Sequence, residues 1–287
     1  MDRCEAFWEW EKEFKNSLCE EFSRVNWNKY DEIDAQEEKT KRLIAHNLNI
    51  GIENVSIMCG GFDAIFNFFL SQSANKFAIP NQSFFGYEVI AKILNKDVIK
   101  KDSQSLLSSD LHKIICTPNN PSGERLEDDV ILSSCNTKNP VFIDKTYFYF
   151  LHHPSKCKFP IMDNVVTNIS LSKSLSMAAI RASILIGDAS LINTIESVKK
   201  PFHVPIFTSI AIRKVFDSQW IKYFDSKTIE LDNIRLKKIN LLSEFEFEDP
   251  KSNFLSIPKQ KNLPKEIIEI SRDMGETYRL TLRDKYE

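Results

Sequence analysis

Glycine is scarce in this sequence, with 7 residues among 287, against a usual share of about 7%. Each glycine that is present is therefore informative, because a tight turn or a close backbone approach is the usual reason to keep one. The chain also lacks an apolar run near the ~20 residues that cross a bilayer, and its first residues lack the apolar core of a signal peptide. We therefore expect no membrane association, and a cytoplasmic protein.

Strong charge and metal-binding motifs are absent too. The net charge of −2 gives no electrostatic reason to expect nucleic acid or an anionic membrane as a partner. The six cysteines include no Cys-x-x-Cys pair, so reduced thiols are expected in a chain of this length. The adjacent His152 and His153 would point in opposite directions on an extended segment. We therefore expect no metal site.

The sequence does contain an alternation of short apolar runs and helical stretches between residues 54 and 187. The apolar runs are 77–80, 113–116, 141–143 and 166–169, and the clearest helical stretches between them are 61–71 and 83–95. This alternation predicts an α/β fold in which a mostly parallel sheet is sandwiched by helices.

The two ends of the chain show other patterns. Aromatic residues recur at helical spacing in residues 1–29, and a long helical pattern covers 206–244. The tail predicts a strand at 253–257, a helix at 264–271 and a strand at 278–282. We predict an N-terminal helical arm over 1–35, a large α/β domain over 36–205, and a connecting helix with a reduced α+β small domain over 206–287.

Polar motifs follow three of the apolar runs, where a parallel sheet collects its ligands. An Asn-Pro-Ser-Gly segment with Asn120 follows the run 113–116. An Asp-x-x-Tyr segment, Asp144 to Tyr147, ends the next run, and a Ser-x-Ser-Lys segment ends at Lys173. Taken singly, these motifs are also compatible with a turn, a helix cap and a surface lysine.

The three motifs in this order, with Arg181 eight residues after Lys173, resemble the class I and II aminotransferases of fold type I. The most similar members are the histidinol-phosphate aminotransferases and the threonine-phosphate decarboxylases. The resemblance runs from about residue 30 to the C-terminus. It implies the fold of pyridoxal-phosphate-dependent transferases, pyridoxal 5'-phosphate (PLP) as cofactor, and a homodimer with a shared active site. It also implies a small amino acid or amine as substrate.

The resemblance assigns catalytic roles to Lys173, Asp144 and Tyr147. Lys173 is implied to hold the cofactor aldehyde covalently and then to move a proton at the substrate carbon. Asp144 is implied to keep the pyridine nitrogen protonated, so that the ring can accept electrons. Asn120 and Tyr147 are implied to donate hydrogen bonds to the phenolic oxygen of the ring.

The same resemblance places the cofactor phosphate. Ser170 and Arg181 are implied to bind it, Arg181 as a two-pronged donor. Gly60, Gly61 and Phe62 are implied to offer backbone N–H groups, because they stand where a helix begins after an apolar run.

Three aromatic or basic residues complete the predicted site. Phe84 is implied to stack on the pyridine ring, with a place in the core as the alternative. Tyr30 is implied to reach the phosphate of the neighbouring subunit, with burial at a helix end as the alternative. Arg279 is implied to bind the carboxylate, or an equivalent anion, of the substrate.

The sequence also departs from the family pattern. Ala179 and Ser183 stand where glycines are common, Lys145 stands where an acidic residue is common, and no Asn-Glu-Asn-Pro-like segment lines the substrate pocket. These departures fall on the substrate side. Three functions therefore remain open: an aminotransferase, another PLP-dependent reaction at the α-carbon such as decarboxylation, elimination or cyclisation, and a degenerate relative that serves as a scaffold.

Overall fold

A seven-stranded, mostly parallel sheet forms the centre of the protein, as the computed structural model shows for residues 3–150 and 152–283. Its strands are β1 (Val55–Met58), β2 (Lys76–Pro80), β3 (Asp97–Lys101), β4 (His112–Cys116), β5 (Val141–Asp144), β6 (Val165–Ser170) and β7 (Ser183–Gly187). Their spatial order is β1-β7-β6-β5-β4-β2-β3, and only β7 runs antiparallel to its neighbours. The predicted α/β fold with a mostly parallel sheet is confirmed.

Helices cover both faces of this sheet. The α-helices of the described residues are α1 (Lys12–Ser23), α2 (Asp31–Leu48), α3 (Gly61–Ser71), α4 (Gly86–Ile93), α5 (Ser103–Leu107), α6 (Asp128–Ser134), α7 (Ala189–Glu196), α8 (Ile206–Val215), α9 (Ser218–Leu241) and α10 (Lys265–Ile270), of which α10 packs on a second, smaller sheet. Successive strand residues point to opposite faces, so Ile114 joins the core under α3, α4 and α7, whereas Ile115 joins the core under α5 and α6. Because both faces of these strands are buried, consecutive residues of each strand are apolar, which gives the continuous apolar runs of the sequence.

A second, three-stranded antiparallel sheet lies near the end of the chain. It contains β8 (Phe254–Pro258), β9 (Arg272–Asp273) and β10 (Thr277–Thr281), with β10 in the middle. Its apolar face packs against the loop that follows β5, where the rings of Tyr147 and Phe254 meet edge to face at 5.3 Å. Among the described residues, no helix is long and apolar enough to cross a membrane. The division into three domains remains a prediction.

Two helix predictions need correction. Within the stretch 1–29, which we predicted to be helical, the described residues before α1 are not helical. Hydrogen bonds instead hold them to the loop after β6, from Trp10 Nε1 to the carbonyl of Leu175 (2.8 Å) and from Ser176 Oγ to the carbonyl of Trp8 (2.5 Å). The predicted helix over 206–244 is interrupted between α8 and α9. Residues 1, 2, 151 and 284–287 of the predicted domains lie outside the described ranges.

Candidate active site

The predicted site residues gather at one edge of the large sheet. Strands β1, β2, β4, β5 and β6 run parallel, so their carboxyl ends open at this same edge. Strand β7 runs the other way and begins there, with Ser183 opposite Ser170. The motifs that follow the apolar runs in sequence are therefore neighbours in space, as expected for a ligand site on an open α/β sheet.

A small cradle forms where the turn after β1 meets Arg181. Gly60 has a φ of +88°, a conformation that residues with a Cβ rarely adopt. A Cβ atom on Gly60 would lie 2.7 Å from Nη2 of Arg181, and one on Gly61 would lie 3.4 Å from Oγ of Ser170. Glycine at position 60 thus lets the guanidinium lie directly against the turn. The structure brings together four of the residues that we predicted to bind the phosphate.

The first turn of α3 closes this cradle. The helix begins at Gly61, and the N–H groups of a first helical turn have no partners within the helix. They carry the positive end of the helix dipole, which favours an anion. The ring of Phe62 is 38% exposed, so its predicted part in the cradle rests on its backbone N–H alone.

Asp144 is buried at the end of β5, and both of its carboxylate oxygens accept hydrogen bonds. Oδ1 accepts from the backbone N–H and the hydroxyl of Thr146 (3.0 and 2.6 Å) and from Nδ2 of Asn168 (3.1 Å). Oδ2 accepts from the phenol of Tyr87 (2.7 Å). All of these donors are uncharged. The carboxylate is therefore held in place while its negative charge remains available to a partner.

Tyr87 and Asn168 are parts of this site that sequence reasoning missed. Burial, and then the charge of Asp144, raise the pKa of Tyr87 well above its ordinary value, so the phenol remains a proton donor. Asn168 is in turn fixed by Ser183, whose hydroxyl donates to its Oδ1. A signal was present: Asn168 stands two residues before Ser170, on the same side of β6.

A hydrogen-bonded chain links the loop after β4, the loop after β5 and the small sheet. Nη1 of Arg279 donates to Oδ1 of Asn120 (2.9 Å), and Nδ2 of Asn120 donates to the phenol oxygen of Tyr147 (3.1 Å). All three side chains are buried. Burial raises the pKa of Tyr147 well above its ordinary value. Three predicted residues from distant parts of the sequence are thus in contact, while their separate roles remain predictions.

The N-terminal segment enters the site beside Lys173. The half-buried Lys173 donates from Nζ to the carbonyl oxygen of Arg3 (2.6 Å). The next residue, Cys4, is fully buried, and its thiol lies 3.5 Å from Oδ1 of Asn253. Nδ2 of Asn253 donates to the carbonyls of Cys4 (3.1 Å) and Glu5 (3.2 Å). Although the family-like N-terminal motif is missing, a segment near the start of this chain lies beside Lys173, and sequence reasoning missed the contact between Cys4 and Asn253.

Two predicted aromatic residues occupy different surroundings. The ring of Phe84 packs back over Gly86 at the start of α4 and meets the ring of Tyr87 edge to face at 5.7 Å. It therefore stands close to the Asp144 network. Tyr30 is 68% exposed and stacks on Phe202 at 4.6 Å. Burial at a helix end, the alternative for Tyr30, is wrong, while its contact with a second subunit and the stacking of Phe84 remain predictions.

Comparisons with known proteins agree with this geometry. The sequence model of the family "Aminotransferase class I and II" matches residues 9–269. A curated histidinol-phosphate aminotransferase from Clostridium novyi is 27% identical over 277 residues, which cover 90% of this chain and 76% of that protein. Another from Chlorobium chlorochromatii is 27% identical over 70% of this chain, but only 60% of that protein is covered.

A solved structure shows the same fold. The histidinol-phosphate aminotransferase of Sinorhizobium meliloti, determined in complex with pyridoxal-5'-phosphate, superposes with a TM-score of 0.80 at 13% sequence identity. The superposition covers 99% of this chain and 85% of that one. Since the family match spans most of the sequence, the chain belongs to the class I and II aminotransferases, a family of pyridoxal-phosphate-dependent enzymes.

Proposed function

We propose that this protein transfers the amino group of a small amine bearing an anionic group, with histidinol phosphate as the amino donor. The observation that carries the proposal is the buried chain from Arg279 through Asn120 to Tyr147. It brings a cation from the small sheet to the edge where the predicted cofactor residues lie. The curated relatives compared above are named for histidinol phosphate, which supports that choice of donor.

The residues at the sheet edge fit PLP. The turn at Gly60 has room only for a hydrogen beside Arg181, which leaves a cationic hollow at a helix start that suits a phosphate. The hydroxyl of Ser172, next to Lys173, is buried without a hydrogen-bond partner among the described residues, and a bound polar group would satisfy it. When bound, PLP supplies an aldehyde that takes up the amino group and a ring that accepts electron density.

The chain's own groups then have distinct tasks. Lys173 provides the amine that holds the cofactor and afterwards carries a proton to and from the substrate carbon. Asp144 holds a proton at the ring nitrogen, because its negative charge is surrounded by uncharged donors. Arg279 orients the substrate through its anionic group, which fixes the bond that will break in the reactive direction.

The proposal is tested with purified protein loaded with PLP. We expect a visible absorption band from the bound cofactor, and glutamate formation when histidinol phosphate and 2-oxoglutarate are supplied together. Lys173→Ala should abolish both, because no other amine replaces the lost one. Lys158→Ala changes an exposed lysine away from the site and should leave both unchanged.

Two results would contradict this proposal. Protein that takes up no PLP would favour the scaffold reading. Release of carbon dioxide from an amino acid substrate, without glutamate formation, would show a decarboxylase instead of an aminotransferase. Glutamate formation with a different amine would show that the proposed substrate is wrong but that the protein is still an aminotransferase.

We further propose that two copies of the chain assemble into a homodimer. Support comes from large aromatic side chains that lie exposed near the start of α2 and before α8. They are Trp27 (69% exposed), Tyr30 (68%) and Phe202 (47%). Burial of such rings between subunits would be favourable. Sedimentation of the PLP-loaded protein should give twice the chain mass, and a monomer at assay concentration would contradict the assembly.

We also propose the cytoplasm as the compartment of this reaction. All six cysteines remain thiols rather than disulfides, which suits a reducing compartment. One of them, Cys4, lies at the site itself. Fractionation of cells that express the full protein would test the location.

A further inference from the structure

Three potential metal ligands converge behind the phosphate cradle. They are Cys59, which precedes Gly60, Asp63 in the first turn of α3, and His203 in the loop before α8. One donor atom from each lies within 4.8 Å of the others. Nε2 of His203 is 2.7 Å from Oδ2 of Asp63, and the Cys59 thiol donates to the carbonyl of His203 (3.2 Å). This cluster is not apparent from the sequence, because His203 is 140 residues away from Asp63.

The carboxylate of this trio is held in place independently of His203. Oδ2 of Asp63 accepts the backbone N–H of Cys59 (2.9 Å), and Oδ1 accepts from Nδ2 of Asn67 (3.0 Å). The first of these bonds also fixes the turn that carries the Cys59 side chain. The three donors are therefore close together before any ion binds, so little ordering is needed on binding.

We propose that Cys59, Asp63 and His203 form a binding site for a divalent transition-metal ion, with Zn²⁺ as the best match. A thiolate, an imidazole and a carboxylate are the three donor types that zinc takes in proteins. Three protein ligands leave a fourth position of the tetrahedron for water. On binding, the Cys59 thiol releases its proton to solvent. Nε2 of His203 also releases the proton that it donates to Asp63, and the neutral ring keeps its proton on Nδ1, so that Nε2 and the Asp63 carboxylate can each form a bond to the metal.

The charged groups around the three ligands do not repel a bound cation, because the nearby positive side chains are neutralised. Lys199 and Arg181 are the cationic groups that act on Cys59. Lys199 is already paired with Glu37 and, at 3.2 Å, with Glu196. Arg181 would be neutralised by the cofactor phosphate, and this single step rests on the proposed function. Burial, and then the charge of Asp63, raise the pKa of Cys59, so this residue is a thiol until the metal binds. With both cations balanced, the negative charge of Asp63 attracts the metal, and the thiolate that forms on binding adds a second negative charge.

The ligands can be reached from solvent. The side chains of His203 and Asp63 keep 17% and 18% of their surface exposed. His203 also lines an open cleft of about 270 Å³ whose other walls include the acidic side chains Asp34, Glu37 and Glu38. The same walls carry Glu196 and the lysines Lys41, Lys199 and Lys200, and two of these lysines are paired with Glu196. Because the acidic groups of the cleft outnumber the lysines, the cleft does not repel an entering cation.

The test is a titration of the PLP-loaded protein with Zn²⁺ and, separately, with Co²⁺. We expect one equivalent of Zn²⁺ per chain by calorimetry. Co²⁺ should give the intense d–d band of a tetrahedral site at the red end of the visible spectrum, away from the cofactor absorption. Zinc should displace cobalt and remove this band.

Variants decide whether the trio is the site. Cys59→Ser keeps a hydroxyl that can donate to His203 but loses the thiolate, and Asp63→Asn keeps an oxygen that can accept the Cys59 N–H. Either change, and His203→Ala, should remove the cobalt band while the cofactor band persists. Cys19→Ser, which changes an exposed cysteine on α1, should leave the cobalt band intact.

Two outcomes would overturn the proposal: no stoichiometric uptake of zinc by the natural sequence, or a cobalt band that survives both Cys59→Ser and His203→Ala. Persistence of the cofactor band in the variants shows that they have folded. If the natural sequence takes up no PLP, the same titrations in a buffer that does not bind metal ions still test the metal site, so its failure and the failure of the proposed function are distinguishable.

Discussion

The two halves of the candidate active site are built from different kinds of structure. The predicted cofactor side consists of Gly60, Asp144, Ser170, Lys173 and Arg181, which lie at strand ends or in the adjoining turns, at one edge of the mostly parallel sheet. The substrate side consists of Arg279 on the small sheet, Asn253 before that sheet, and the N-terminal segment from Arg3 to Glu5. On this side, Nδ2 of Asn253 donates to the carbonyl of Cys4, which lies 249 positions away in the sequence (3.1 Å). The positions of the cofactor-side residues are set by the strand ends and turns of one sheet. Those of the substrate-side residues are set by contacts between the two ends of the chain.

Asn120 and Tyr147 connect the two sides. Both belong to loops of the large sheet, yet Asn120 accepts a hydrogen bond from Arg279 on the small sheet. The ring of Tyr147 packs on Phe254. Changes on the cofactor side should therefore alter the chemistry, whereas changes on the substrate side should alter recognition. Each prediction below tests this separation.

The largest effect is expected on the cofactor side, from Asp144→Ala. This change removes the carboxylate that would keep the ring nitrogen protonated, so kcat should fall by about 100-fold or more. Cofactor content should fall far less, because the phosphate cradle and Lys173 remain. Turnover and the visible absorption of bound PLP are measured on the same preparation.

An equal loss of kcat and of bound cofactor would show that Asp144 only anchors PLP. Asp129→Asn is the matched control, since Asp129 is an exposed carboxylate on α6. It should change neither quantity.

The next largest effect is expected on the substrate side, from Arg279→Lys. Lysine keeps the charge but loses the planar fork that binds an anion with two hydrogen bonds. We expect KM for the anionic substrate to rise by about 10-fold to 100-fold, with an unchanged cofactor band. Steady-state kinetics measure the change.

Arg272→Lys is the control for this prediction, because Arg272 pairs with Arg279 across the small sheet but was not predicted to bind substrate. A loss of the cofactor band in Arg279→Lys would break the separation of the two sides. Unchanged kinetics would show that another group binds the anion.

The sequence predicted which residues gather at the sheet edge because that information is local, while their roles toward the cofactor remain predictions. Gly60, Asp144, Ser170 and Lys173 stand at or soon after the end of a strand, and Arg181 stands just before β7, which begins at this edge; the strand order then brings them together. Parallel register then aligns the carboxyl ends without any further contact. The order of the three motifs in the sequence, which suggested the family, matches the side-by-side order of strands β4, β5 and β6 in the sheet.

The substrate side could be predicted only in part. Arg279 was predicted through the resemblance, but no local sequence pattern indicates that Cys4 and Asn253 are in contact. The aromatic spacing of the first residues suggested a helix, whereas Trp8 and Trp10 are buried in an aromatic cluster on a segment that is not helical. Tertiary contacts with the loop after Lys173 decide the conformation there.

A smaller effect is expected from the residues that hold Asp144. Asn168→Leu removes one donor to the carboxylate, a bond to a charged group that contributes about 1.5–3 kcal/mol. Because Thr146 and Tyr87 still donate to Asp144, only part of this free energy should be lost, and we expect kcat to fall by about tenfold, with little change in KM for the amine. Ser183→Gly should have a weaker effect in the same direction, because it only frees Asn168 to move.

The split between kcat and KM distinguishes positioning from a structural defect. If Asn168→Leu lowered the melting temperature and left kcat unchanged, Asn168 would only support the fold. Thr167→Val is the control, because Thr167 lies next to Asn168 on β6 but points to the other face of the sheet.

The smallest effect is expected from Cys4→Ala. The change removes the thiol, but both hydrogen bonds that Asn253 donates go to backbone carbonyls and persist. The segment should therefore stay in place, and KM should change by about threefold, which corresponds to one neutral hydrogen bond. Asn253→Ala removes both backbone contacts and should raise KM more than Cys4→Ala does. If Cys4→Ala instead abolished the cofactor band, the thiol would belong to the cofactor side, and the proposed separation of the two sides would be wrong for the N-terminal segment.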